Sequence, residues 1–525
     1  MKQQLHRRST ELGRLRAAAV ATLAGLSLMA HAGCGKADPE DNFRLWMNNE
    51  AGWAEMTNFV ADKGNDVKLR GRALEILVAE GGQPSQVLPV VEKAPDRQEL
   101  LLALQPQMIK LLQNGSVKQK GHAKIVLFAI LKEGKLPEPR AVELKKQLAD
   151  WAFGDFKHEM DIEALKSALK DRVTPEDIEV LGPYAIPGVE VMLGKGVSRG
   201  ELVAFLRNQN TPESKKALVA GLRRYHAGKN IKISEDDLGA IQSTDSLDGY
   251  IYFLELYRRF ADAEKPHPDD KRAADLAIRV ALQWTDPDDD KKKPEELEKL
   301  KQDRFEALKG AWDRVGPLME QLLTGRNCDD RWYATQLLIS LQGAKGLATA
   351  LEKLPDDTNY GQEEFAANDA KKMIVDLCLN EIKSLGADAA RPALEATLKS
   401  SPRAVARVLA ARCLAVFGDP ASLAVLKAFD KKDPIGAKNV QPVIVTDMPI
   451  SVGDIVQASV DTIDYCTAVD KAAAEGKVDA AAAKFRKNYA LYSFYRKGKE
   501  IATFAEEMAA DKVERDKAKA AAPKK

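Results

Sequence analysis

Asp286, Asp288 and Asp290 alternate as the opening ligands of a calcium loop do, and oxygen donors at that spacing suit a hard cation. The pattern then breaks. Lys291 stands where the turn needs glycine, and Leu297 where the closing carboxylate belongs. The segment therefore reads as a solvated loop. Gly188 and Gly194-Lys195-Gly196 hint at a phosphate cradle, but one residue too many separates the glycines, and Gly196 replaces the hydroxyl that would hold magnesium. The histidines His6, His31, His122, His158, His226 and His267 are scattered, and His158-Glu-Met-Asp lacks the second histidine of a metalloprotease helix. No serine elbow is expected, and no Cys-x-x-Cys pair occurs. The expectation is a chain without catalytic, metal or cofactor site.

The elements that would position any chemistry are helices. Four segments share the spacing basic-x-x-Ala-x-x-x-Leu: Arg70/Ala73/Leu77, Lys120/Ala123/Leu127, Arg331/Ala334/Leu338 and Arg407/Ala410/Leu414. Ala and Leu four apart lie on one helix face, where the small residue admits a neighbouring helix and the Leu fills the seam. The basic residue, one turn earlier, is placed to reach loop carboxylates or carbonyls. The first two copies are 50 apart (120 − 70) and the last two 76 apart (407 − 331), with a worn copy at Lys371/Ile374/Cys378 between the latter.

The best single unit runs from Asp388 to Leu423. A first helix lies near 390–398. Ser401-Pro402 reads as the N-cap and first turn of a second helix, Phe417-Gly418 as its stop, and Asp419-Pro420 as the start of the next unit. With the Arg, Ala and Leu positions, this resembles the HEAT-repeat family, and its PBS-lyase-like subgroup in particular. The resemblance implies an all-α fold, an α-solenoid of helix pairs; separately, the residues from Val440 to Ile450 read as extended chain, a short segment near 439–450. The subgroup includes bilin-attachment proteins, so an enzyme or enzyme subunit is the alternative it carries.

With 525 residues, 45% of them hydrophobic, the chain is long enough for a sizeable core, and only 6% aromatic content suits thin helix-pair packing. Lys and Arg number 79 against 78 Asp and Glu, so the net charge of +1 gives no global field for nucleic acid, and no nucleic-acid partner is expected.

Residues 1–33 read as a signal peptide. Lys2, Arg7, Arg8, Arg14 and Arg16 precede a mostly apolar run from Ala17 to Ala32, too short for a comfortable membrane span. Ala32-Gly33-Cys34 resembles the end of a bacterial lipoprotein lipobox with Cys34 as the lipid acceptor, although His31 stands where that motif prefers an aliphatic residue. Ala30-His31-Ala32 alternatively offers an A-x-A cleavage site, giving a periplasmic protein. Lipidation is favoured, because it explains a cysteine beside the cleavage point. Gly35 lacks the retention acid of enteric inner-membrane lipoproteins and leans towards the outer membrane. In that oxidising space Cys328, Cys378, Cys413 and Cys466 allow three pairings, and the sequence does not choose.

The expected organisation is helical repeats over 34–285, opened by Trp46, Trp53 and Phe59 as an N-terminal cap. A charged loop follows at 286–302, a joint between two halves. Clearer repeats span 303–428, an extended linker 429–450, a terminal helix pair 451–511 and a Lys/Ala-rich tail 512–525. On the last helix Phe485, Tyr489 and Tyr492 fall at spacings of 4 and 3, with Arg496 nearby. They form either a docking face, Tyr- and Arg-rich as interfaces are, or a stripe buried on the solenoid's end. The expected function is that of a non-catalytic envelope lipoprotein, a scaffold or adaptor for protein partners still to be identified, with a cell-surface contact protein as another reading.

Overall fold

The computed structural model describes residues 39–48, 50–79, 84–133, 136–228, 233–261, 268–287, 292–325, 328–355, 377–430, 432–438, 440 and 451–492. Among them every regular element is a helix and no strand occurs. The fold is all-α, and helices pack mainly on their sequence neighbours, as in a solenoid. The chain forms two compact units, dividing at Tyr225/His226.

The first unit holds α1 (Pro39–Trp46), α2 (Glu50–Ala61), α3 (Val67–Ala79), α4 (Pro84–Lys93), α5 (Arg97–Asn114) and α6 (Val117–Lys132). It continues with α7 (Glu138–Phe153), α8 (Ile162–Leu169), α9 (Pro175–Leu181), a 3-10 turn (Gly182–Ala185), α10 (Ile186–Gly194), α11 (Arg199–Gln209) and α12 (Pro212–His226), whose last residue, His226, belongs to the second unit. Local chemistry sets the starts. Ser116 and Gln119 close a capping box on α6, Asp161 accepts from the Ala164 amide at 2.7 Å on α8, and Thr174 with Asp177 caps α9. The expected aromatic cap forms in part. Phe43, Trp46 and Phe59 cluster with ring centroids 5.0 to 6.2 Å apart, while Trp53 is half-buried.

The second unit holds α13 (Glu235–Gln242), α14 (Leu247–Ala261), α15 (Pro268–Thr285), α16 (Pro294–Gly310), α17 (Trp312–Leu323), α18 (Cys328–Gln342) and α19 (Ala344–Lys353). A π-helical turn (Leu377–Ile382) then leads to α20 (Lys383–Leu385), α21 (Ala387–Ser400), α22 (Ala404–Phe417), α23 (Pro420–Lys427), α24 (Val452–Ala474) and α25 (Ala480–Tyr492). Residues 288–291 of the joint expected at 286–302 lie outside the described residues. Helix α16 starts at Pro294, with Glu295 and Glu296 in its first turn, and both Lys301–Asp286 and Arg304 to the Trp284 carbonyl tie it back to α15. Residues 432–438 of the expected extended linker are turns, held partly by Asp433, and 441–450 lie outside the described residues.

The recurrent spacing does what its residues permit. Arg70, Ala73 and Leu77 are fully buried, and Ala334, Leu338, Ala410 and Leu414 are buried with Arg331 and Arg407. Each of these arginines donates Nε to a carbonyl on the chain preceding its own helix: Arg70 to Val60 at 2.7 Å, Arg331 to Gly325 at 2.6 Å, Arg407 to Ser401 at 2.6 Å. Two also clamp a carboxylate 26 residues on. Arg70 pairs with Asp96 through both terminal nitrogens, and Arg407 reaches Asp433 at 2.8 Å. The Arg70 guanidinium holds the Asp96 carboxyl below its ordinary range, and Arg407 does the same for Asp433. Thus one side chain ties a preceding segment to a following one. The second copy departs from the rule. Lys120 is half-buried, and the inward cation there is Lys124, one turn later, paired with Asp177 at 2.8 Å. A lysine at 120 lacks the planar fork that serves a carbonyl and a carboxylate together.

Helix α22 is buried all round, from Ala404 to Ala415, between α21, α23 and α24. It starts later than expected. Ser401 is extended, as a residue before proline prefers, and Arg403 is the N-cap, with no side-chain cap. Its end is as expected, with Gly418 left-handed at φ +63°. Asp419 then caps α23, accepting from the Ala421 and Ser422 amides at 3.0 Å. Burial alone would raise the Asp419 carboxyl, but Ser422 and Arg391 outweigh it and bring the pKa to about 2.

Candidate functional site

The terminal helix pair places the predicted docking residues. Helix α25 packs on α24 through a core of Tyr465, Val469, Ala472, Val478, Ala483 and Ala490. It is further tied by Lys487, whose Nζ lies 2.9 Å from both Asp470 carboxylate oxygens, and by Arg412, which donates to the Leu491 carbonyl at 2.8 Å. The seam on α25 is therefore made by small residues. Phe485 stands two positions beyond Ala483, about 200° round the helix, and so points away from that seam. It is 72% exposed, the one exposed aromatic side chain among the described residues. Positions 489 and 492 share its helical face by spacing. The side chains of Tyr489 and Tyr492, and Arg496 altogether, lie outside the described residues, as does Cys34.

A second cluster escaped sequence reasoning. His226 is buried, its Nδ1 2.6 Å from the Tyr252 hydroxyl and its Nε2 3.1 Å from Asp237, while Arg259 donates to its carbonyl at 2.6 Å. An Asp–His pair is the arrangement a general base needs. Here His226, Asp237 and Tyr252 are all buried, so the cluster is closed to a substrate and reads as a satisfied polar group within the core. On the same helix, α14, the Tyr250 hydroxyl meets that of Tyr333 at 2.8 Å, and Thr285 joins Tyr333 at 3.1 Å. Burial pushes both phenols above their ordinary range, which keeps them neutral donors and acceptors. No periodic signal marks these residues, since their partners lie 11 to 83 residues apart.

The remaining motifs are also placed. Gly188 is helical within α10 and lies against the Phe153 ring, where a Cβ would collide, so the glycine is required by packing rather than by phosphate. Asp286 is paired with Lys301, and Asp288 and Asp290 lie outside the described residues. The expectation that no serine elbow occurs needs correcting: Gly196-Val-Ser198-Arg-Gly200 has the G-x-S-x-G spacing, and Ser198 is left-handed at φ 43°. The context differs from a hydrolase elbow, because the turn joins two helices rather than a strand to a helix. No hydrogen bond links the Ser198 hydroxyl to a histidine among the described residues, and the turn is shaped by Gly196 over the Tyr225 ring. Cys413 is fully buried and Cys466 half-buried; the side chains of Cys328 and Cys378 lie outside the described residues.

Compared with known proteins, the chain matches no family model, no curated protein and no solved structure. Among the described residues no group of three or more His, Cys, Asp or Glu is placed to hold a metal, and no helix is long and apolar enough to cross a membrane.

Proposed function

We propose that this chain is a non-catalytic lipoprotein of the bacterial cell envelope that presents a HEAT-type α-solenoid to protein partners as a scaffold or adaptor. The observation that carries the docking claim is Phe485, an aromatic side chain 72% exposed on α25. Aromatic anchors flanked by basic residues are what binding hot spots are made of. The arginine-stapled helix pairs support the HEAT reading, and the positively charged start, apolar run and Cys34 support the anchor. Gly35 favours the outer membrane, and cleavage after Ala32 without lipid would leave the protein periplasmic.

Acyl chains at Cys34 contribute roughly 0.8 kcal/mol per buried CH₂, enough in combination for firm attachment. Cys34→Ala is expected to move the protein from the membrane pellet to the soluble envelope fraction. Membrane association unchanged by Cys34→Ala would remove the anchor from this account. Phe485→Glu is expected to change stability by less than about 0.5 kcal/mol, as exposed substitutions do. Partner recovery from the envelope should fall with it. Unaltered recovery would move the docking surface elsewhere.

A further inference from the structure

We propose that Asn114 is a site of spontaneous deamidation, and that its isoaspartate product loosens the joint between α5 and α6. The proposal is independent of the scaffold reading. Of the chain's asparagines only Asn114 is followed by glycine. It is the last residue of α5 and exposed, and no hydrogen bond engages its side chain among the described residues. Gly115 is extended, at φ −74° and ψ 167°, and has no Cβ to keep its nitrogen from the Asn114 Cγ. What holds that nitrogen is its N–H to the Leu111 carbonyl at 2.8 Å, the closing hydrogen bond of α5. Helix ends fray, so this bond opens more readily than those inside the helix.

The chemistry needs only water. The Gly115 nitrogen bonds to Asn114 Cγ, its proton passes through water to Nδ2, the Cγ–Nδ2 bond breaks, and ammonia leaves. Water then opens the cyclic imide. Attack at Cγ breaks its bond to the Gly115 nitrogen and leaves aspartate. Attack at the Asn114 main-chain carbonyl carbon breaks that carbon's bond to the nitrogen and leaves isoaspartate, whose main chain runs through one more methylene. That methylene falls at a joint. Ser116 donates its N–H to Gln119 Oε1 at 2.8 Å, and its hydroxyl accepts from the Gln119 N–H at 3.4 Å. Gln119 Nε2 donates in turn to the Ala79 carbonyl at the end of α3, at 2.9 Å. A link lengthened ahead of Ser116 does not keep both the Leu111 bond and this capping box in register.

The test incubates the full chain in warm neutral buffer beside the free peptide Leu111–Lys118, and follows both by peptide mass spectrometry that separates aspartate from isoaspartate. Asn114 is expected to convert before any other asparagine, about tenfold more slowly than in the peptide because the Leu111 bond must open first. In the isoaspartate form the Gly115 and Gln119 amides are expected to exchange hydrogen about fivefold faster, the loss of a helix cap. Asn114→Gln, incubated alike, should keep the exchange of fresh protein. The proposal is overturned if another asparagine converts first, or if Asn114 is intact after about ten half-lives of the peptide. It is equally overturned if the isoaspartate form exchanges at 115 and 119 like the fresh chain.

Discussion

Arg70→Ala is expected to destabilise the first unit by about 3 kcal/mol. Three losses combine. The Val60 carbonyl loses its donor inside the core, Asp96 loses its partner, and a long side chain at 0% exposure leaves a void. Removing one partner of a buried hydrogen bond costs about 1–3 kcal/mol, whereas the Asp96 contribution is smaller because that carboxylate keeps access to water. The effect is local, so hydrogen exchange in the full chain is the suitable readout. Amides of α3 and α5 should exchange about a hundredfold faster. Arg70→Lys keeps the charge without the fork and should recover only part of the loss. Lys68→Ala, at an exposed position on the same helix, should stay within about 0.5 kcal/mol. If Arg70→Ala exchanges like the wild type, the arginine staples are not what joins neighbouring segments.

Helix α22 carries the second large effect. Ala410 is fully buried in a helix enclosed on every side, so Ala410→Leu should cost about 1–3 kcal/mol through overpacking. Leu414→Ala, one turn on, should cost about 2–5 kcal/mol by leaving a cavity. The two changes act in opposite senses on volume, and both should lower protection across 404–417. A neutral Ala410→Leu would mean that space exists at the crossing and that α22 is not the packed centre of its neighbours.

Much of this was legible in the sequence. The Ala and Leu positions of all four copies are buried as their spacing requires, and the arginines find carbonyls as their reach allows. Asp357 stands 26 residues after Arg331, the offset at which Arg70 and Arg407 find their carboxylates, although it lies outside the described residues. What the spacing could not convey was pairing across distance. Lys124 rather than Lys120 turns inward because its carboxylate, Asp177, arrives from a helix far along the chain. His226 reads as one of several scattered histidines until folding brings Asp237 and Tyr252 to its ring. Exposure of Phe485 was likewise undecided by spacing. Among the described residues the seam on α25 is made by alanines, and Phe485 stands away from it, exposed.

The central claim is that the chain works by holding another protein. In-cell crosslinking of the tagged full-length protein, wild type beside Phe485→Glu, followed by mass spectrometry of the envelope fraction, tests it most directly. One dominant protein partner is expected, crosslinked through the α25 region and lost in the variant while the fold is kept. The same crosslinks at the same yield in Phe485→Glu, or no protein partner at all in the wild type, would contradict it.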